Sequence, residues 1–252
     1  MVLSHLELEE KELQYLEKIE EICRQNLDFI LERLRSRFPL FSDWYNIFRS
    51  TARRGYSATD LDKGAEKVFG YILSKLDWKP VAIPIGSDFT YETEDAIIHI
   101  DIKTALESNP SDYKGVIDIG ENQTSFNPTI STFQPHLPTY YYKNTKKEKP
   151  CLTYIILIVH IDAHTVISNN IDQNPVLILL ISIPNGELSN YYGTNVVRRG
   201  KQKKGHFRYK FISDSIFRVI QSQKNIIKKR IRIIYQNPNL LSERIKKLLN
   251  HL

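Results

Sequence analysis

Asp88, followed after twelve residues by Asp101-Ile102-Lys103, is the part of this 252-residue chain whose side chains suit chemistry. Ile97, Ile98, Ile100 and Ile102 surround Asp101, and such a β-branched run predicts a strand over 95–104. Side chains alternate along a strand, so Asp101 and Lys103 share one face. Two charges on one face of an isoleucine-rich strand are costly to bury without a partner or a task. Asp88 lies just upstream, in a strand expected over 88–93, where a hairpin brings it alongside. Two carboxylates and a lysine suit magnesium-dependent hydrolysis of a phosphodiester. Magnesium takes oxygen ligands, here Asp88, Asp101 and the backbone carbonyl of Ile102. The metal polarises the phosphate and lowers the pKa of attacking water. Lys103 orients or deprotonates that water and offsets developing charge. The chain offers no histidine–cysteine cluster of the kind zinc needs. The competing reading is a surface strand that carries a salt bridge.

Helices and further strands must hold these groups in place. A helix starting at Thr59 or Asp60 is expected through Leu61, Ala65, Val68, Phe69, Ile72 and Leu76, with Lys79-Pro80 as its stop. Glu66 lies on it. Residues 3–38 read as one long amphipathic helix, because Leu13, Leu16, Ile19, Cys23, Leu27, Ile30 and Leu34 recur at three- and four-residue spacing. Such a helix packs on the domain or on its copy in a dimer. Strands are also expected near 115–120, 152–162, 175–183 and 207–211, and Lys224–Arg232 suits an amphipathic helix with a basic outer face. Residues 121–150, with Pro128, Pro135, Pro138 and Tyr140-Tyr141-Tyr142, read as an ordered excursion. The expected fold class is α/β, a central mixed sheet flanked by helices. The chain divides into a helical arm (1–58), a catalytic core (59–126) and the remaining sheet with a basic part (127–252), all in one domain.

Charge is unevenly distributed. From Val196 onward there are sixteen Lys or Arg against Asp214 and Glu243, a balance of +14, which leaves −8 for residues 1–195 of the net +6. A segment this basic suits a polyanion, most simply nucleic acid, or else a solvated surface. Arg198, Arg199, Lys201, Lys203, Lys204 and Arg208 are placed as phosphate contacts. Asn122, Gln123, Thr124 and Ser125 suit base edges or phosphates, with a plain polar turn as the competing reading. Arg49, Arg53 and Arg54 are candidates for a minor-groove clamp. The apolar runs are too short to span a bilayer, and the N-terminus lacks an apolar signal core, so a cytoplasmic protein without membrane contact is expected.

Asp-x12-Asp-x-Lys on a hairpin after a helix resembles the PD-(D/E)XK nuclease superfamily. Asp101-Ile102-Lys103-Thr104, with Gly120 and Thr124-Ser125-Phe126 downstream, is similar to the EcoRV-like branch of type II restriction endonucleases. The resemblance covers roughly residues 60–126, with Ser87 where the family has proline. It implies Asp88 and Asp101 as metal ligands, Lys103 as the catalytic lysine and Glu66 as a further acid on the helix. For Glu66 the alternative is an exposed glutamate paired with lysine. It further implies Mg2+ as cofactor, double-stranded DNA as substrate and a homodimer cutting both strands of a short palindrome. A cognate DNA methyltransferase is expected in the same cell without a stable complex. Alternatives on the same core are a repair nuclease, a resolvase or a nicking enzyme. From a different class comes a DNA-binding protein without catalysis.

Overall fold

The computed structural model describes residues 3–35, 60–82, 86–127, 133–161, 174–200, 206–212 and 216–252. Ten strands occur among them: β1 (Lys79–Pro80), β2 (Phe89–Glu92), β3 (Ile97–Leu106), β4 (Ile117–Gly120), β5 (Tyr140–Lys143), β6 (Lys146–Ile161), β7 (Asn174–Ile183), β8 (Val197–Arg199), β9 (His206–Tyr209) and β10 (Ile231–Gln236). The main sheet runs β1-β2-β3-β6-β7-β10, with β5 paired to β6, and a second sheet runs β4-β9-β8. β3 lies parallel to β6 and antiparallel to β2, which makes the main sheet mixed. Every residue of β6 from Cys151 to His160 is buried, and so is all of β7 after Asn174. Continuous apolar runs of this kind belong to strands covered on both faces. β3 is buried alongside them, so Asp101 is carried into the core by its isoleucine neighbours.

Helices α1 (His5–Gln25), α2 (Leu27–Arg35) and α3 (Asp60–Leu73) flank the sheet. α3 packs on β3, α2 on β7, and α1 on β6, β7 and β10. Three short helices follow among the described residues: α4 (Ser189–Tyr192), α5 (Arg218–Lys224) and α6 (Glu243–Leu249). The single helix expected over 3–38 is two helices. α1 opens with a capping box, in which Ser4 N donates to Glu7 Oε2 at 2.7 Å and Glu7 N to Ser4 Oγ at 3.3 Å. It ends at Asn26, whose side-chain Nδ2 donates to the Ile22 carbonyl at 2.8 Å and satisfies an orphan acceptor of the last turn. The apolar spacing continues across Asn26, which hides the break from periodicity. Leu8, Tyr15, Leu16, Ile19 and Cys23 of α1 are all buried within the chain's own core. The stripe therefore serves the domain.

The helix expected over Lys224–Arg232 is corrected: α5 ends at Asn225 and β10 starts at Ile231. Alternating bases and isoleucines have a period of two as well as an amphipathic look, and β-branched residues favour the strand. β10 pairs antiparallel with β7. Bases on and before β10 meet the acidic α1: Arg232 pairs with Glu20 at 2.9 Å, Lys228 with Glu17 at 3.7 Å, and Lys224 with Glu10. Arg230 is fully buried against Glu9 (3.4 Å) and Glu12 (2.5 Å). Much of the charge asymmetry between the two ends of the chain is thus neutralised internally. The excursion at 121–150 also contains regular structure, because Asn144 and Thr145, both at positive φ, turn β5 into β6.

Candidate active site

β2 pairs with β3 only as far as Phe89 opposite Ile100, so the edge of β3 beyond Ile100 is open. Asp88, one residue before β2, fills part of that edge: its Oδ2 accepts from the backbone N–H of Ile102 at 2.6 Å. The carbonyl of a strand residue points to the same side as its N–H. The Ile102 carbonyl therefore faces the side on which Asp88 sits. Asp101 and Lys103 project from β3 on a common face, and Lys103 Nζ lies 2.6 Å from Asp101 Oδ2. Asp101 is only 3% exposed, whereas Asp88 is exposed and Lys103 half-buried.

Burial pushes the Asp101 carboxyl up to about 6, with the charges of Asp88 and Glu66 adding to the push and the Lys103 ammonium opposing it. Glu66 stands on α3, beside the buried Ala65 and Phe69, and its charge is felt at Asp101 less than that of Asp88. Two further carboxylates thus act on one buried carboxylate, an arrangement whose mutual repulsion a cation relieves. Asp101 Oδ2 has no well-directed hydrogen bond despite the nearby ammonium. Among the described residues no three His, Cys, Asp or Glu side chains form a closed metal cage. An open pair of carboxylates with a backbone carbonyl fits a magnesium ion, which keeps several waters and needs few protein ligands.

Neighbouring polar groups fix this geometry. His99, on the same face of β3 as Asp101, is fully buried, and burial lowers its pKa to about 4. Its Nδ1 meets Ser87 Oγ at 3.0 Å and Thr90 Oγ1 at 3.3 Å, and its Nε2 meets Tyr141 Oη at 2.9 Å. A neutral histidine thereby tethers the residue next to Asp88. Nothing in the sequence marked His99, because its partners lie on two other strands. Gly86, at φ +59°, lies where a Cβ would come within 2.4 Å of the Asn122 backbone carbonyl oxygen. Gly86→Ala is expected to displace either the loop bearing Asp88 or the turn at Asn122. Any DNA cleavage should fall about tenfold or more, as for lost support around a metal site, and the melting temperature should drop by a few degrees for the strained backbone.

The segment 122–125 is not the uniform polar face that its composition suggests. Asn122 is exposed. Gln123 turns inward, donating to Asp101 Oδ1 at 3.1 Å and accepting from Lys103 Nζ at 3.0 Å. Thr124 and Ser125 are buried; Thr124 Oγ1 accepts from Phe126 N at 2.9 Å and Ser125 Oγ from Gly186 N at 3.2 Å. Their placement against a base or phosphate is therefore corrected, since the hydroxyls face the protein's own backbone. The second sheet offers another surface. Asp118, Arg208 and Arg198 stand in one cross-strand row, while Ile117, Ile119, Phe207, Tyr209 and Val197 are buried on the opposite face. Arg198 is exposed and Arg208 half-buried. Arg199 belongs to β8, whereas Lys201, Lys203, Lys204, Arg49, Arg53 and Arg54 lie outside the described residues. No helix among the described residues is long and apolar enough to cross a membrane.

Residues 4–165 match the family described as type II restriction enzyme MwoI, N-terminal domain, and residues 176–236 match its central domain. No curated protein matches the chain. The crystal structure of the restriction endonuclease BglI bound to its DNA recognition sequence is similar at a TM-score of 0.65 and 19% identity, covering 90% of each chain. That of the tetrameric restriction endonuclease SfiI bound to cognate DNA gives a TM-score of 0.56 at 15% identity, covering 83% of this chain and 80% of that one. At these identities the likeness concerns the fold, an α/β architecture with a large central sheet and flanking helices. Since the first match alone spans more than half of its length, the chain belongs to the family of the type II restriction enzyme MwoI.

Proposed function

We propose that this chain is a magnesium-dependent endonuclease of the PD-(D/E)XK type that hydrolyses both strands of a short double-stranded DNA site. The buried Asp101 carboxylate carries the reading, because it stands among Asp88, Glu66 and Lys103 with one oxygen lacking a well-directed hydrogen bond. Asp88, Asp101 and the Ile102 carbonyl would hold the ion. A bound magnesium ion polarises a phosphate and acidifies a coordinated water. Lys103 positions the attacking water on the open edge of β3 and offsets charge that develops on the phosphate. The water oxygen bonds to phosphorus as the bond from phosphorus to the sugar oxygen breaks; the water's proton passes to solvent or to a neighbouring base, and the leaving sugar oxygen takes a proton from solvent to become a hydroxyl. Glu66 adds negative charge to the same centre. The Asp-Ile-Lys-Thr wording supports the EcoRV-like branch.

A two-fold target needs one such centre per strand, which a homodimer supplies. The apolar stripe of α1 is spent on its own core, so the contact between copies uses another surface. Arg198 and Arg208 face outward on the sheet that leads through β4 to the site, which suits phosphate contacts. Arg198→Ala is expected to weaken duplex binding and to lower the slope of log affinity against log salt by about one unit. Anisotropy titrations at several salt concentrations check this; an unchanged slope removes Arg198 from the interface. A cognate methyltransferase in a cytoplasmic restriction system follows from the same reading.

Digestion of plasmid DNA with magnesium, followed by run-off sequencing of the ends, tests the proposal. Discrete fragments with one common terminal sequence are expected. Smears or nicks point to a repair or nicking enzyme, and retention without cleavage to a binding protein.

A further inference from the structure

Gln123 was marked by its sequence neighbours as a residue facing DNA. Its side chain instead makes three hydrogen bonds inside the site. Nε2 donates to Asp101 Oδ1 at 3.1 Å, and Oε1 accepts from Lys103 Nζ at 3.0 Å and from Gly120 N at 3.0 Å. Both lone pairs of the carbonyl are in use. Flipping the amide would set its NH2 against an ammonium and an N–H, and its carbonyl against a carboxylate. The orientation is therefore fixed by its partners. The short turn Glu121–Gln123 is itself held, with the Glu121 carbonyl accepting from His136 N at 2.7 Å and Gly86 closed against Asn122.

We infer that Gln123 is a positioning residue of the hydrolytic centre: its amide sets the Asp101 carboxylate and the Lys103 ammonium relative to one another. The inference rests on the hydrolytic reading of Asp88, Asp101 and Lys103. Lys103 has two acceptors to choose between, the carboxylate at 2.6 Å and the amide carbonyl at 3.0 Å. Without the amide, the ammonium settles wholly on Asp101 and competes with a cation for its oxygens. Asp101 also loses the donor that orients its Oδ1. Gln123 thus keeps a metal-binding carboxylate and its neighbouring lysine apart enough for each to act separately, as partners around metal ligands commonly do.

The test compares wild type, Gln123→Ala and Gln123→Met, the latter retaining length without polar atoms, after circular dichroism and melting show both variants folded. Single-turnover cleavage with magnesium, duplex affinity in calcium and calorimetric titration of calcium without DNA are measured on each. Both variants are expected to cleave about 10–100-fold more slowly, to bind calcium correspondingly more weakly, and to leave the duplex affinity at saturating calcium unchanged. If instead cleavage at saturation and calcium binding match wild type while duplex affinity or site preference falls, Gln123 contacts DNA and the inference is overturned. Wild-type behaviour in all three measurements overturns it as well. Asp101→Asn is the parallel control: if it cuts like wild type, the hydrolytic reading itself fails, whereas failure at Gln123 alone leaves that reading in place.

Discussion

Asp101→Asn is expected to melt higher than the metal-free wild type and to cut no DNA. Burial pushes the carboxyl up to about 6 in the fold from 3.8 for the ordinary group. A folded value above the unfolded one means that the ionised form opposes folding. That cost is fully present above pH 6, shrinks as pH falls, and is gone below the unfolded value near 3.8. At about 1.4 kcal/mol per pH unit it approaches ~3 kcal/mol at neutral pH, with the attraction of Lys103 already included. The amide escapes the cost, so a gain of about 2 kcal/mol and roughly 4–8 °C is expected for a chain of this size. On the proposed reading, magnesium should relieve the same strain in wild type, raising its melting temperature while leaving that of Asp101→Asn unmoved. Cleavage should fall by ~10³-fold or more, since a metal contributes several kcal/mol to the transition state. Melting scans in EDTA and in magnesium at pH 5 and pH 8 read the stability effect. A variant that melts lower than wild type at pH 8 contradicts this picture of Asp101.

The second large effect concerns Arg230. Its guanidinium is fully enclosed, donating to Glu12 at 2.5 Å, to Tyr192 Oη at 2.7 Å and to Ser182 Oγ at 3.1 Å, with the ring of Phe217 4.2 Å away. Glu9 sits in the same pocket, and its Oε2 accepts from Val219 N and Ile220 N at 2.8 and 2.9 Å, holding the first turn of α5. Replacing one partner of a buried ion cluster leaves the others charged and unpaired. Arg230→Met should therefore cost about 3–5 kcal/mol, a large share of a domain's ~5–15 kcal/mol. Burial pushes Glu12 up to about 7 even with Arg230 opposing. With the arginine gone the push is stronger. The deficit of Arg230→Met is then largest at alkaline pH and shrinks as pH falls and Glu12 takes up a proton. Urea unfolding at pH 5.5 and pH 8.5 measures this, and Glu12→Gln added to Arg230→Met should recover part of the loss. Equal stability of wild type and Arg230→Met at pH 8.5 would refute the role given to this cluster.

The strand that carries the candidate site was legible because its signals are local. Isoleucines around Asp101 specify a buried strand, alternation puts Asp101 and Lys103 on one face, and the twelve-residue spacing lets Asp88 return alongside. α3 and its Glu66 were legible for the same reason, as a periodic helix, although it ends at Leu73 rather than running through Leu76, and Lys79-Pro80, expected as its stop, form β1. The missed features depend on partners distant in sequence. Arg230 reads as one more base in a basic run, and only its burial against Glu9 and Glu12, more than 200 residues away, makes it structural. The break at Asn26 interrupts no apolar spacing. Thr124 and Ser125 look like surface hydroxyls until the backbone N–H groups of Phe126 and Gly186 are seen to take them up in the interior. Gln123 differs from its neighbour Asn122 by nothing that composition registers, yet a half-turn of backbone sends one outward and the other onto Asp101.

Single-turnover cleavage of one duplex carrying the recognition site, by wild type and by Lys103→Ala with saturating magnesium, tests the assignment of the hydrolytic centre most directly. Lys103 is half-buried at the site, so its removal spares the core. Duplex binding in calcium should survive in both proteins, while the cleavage rate of Lys103→Ala falls by about 10²–10³-fold, the scale of losing one stabilising donor at the reacting phosphate. Cleavage by Lys103→Ala at the wild-type rate would contradict the assignment and place the chemistry elsewhere in the chain.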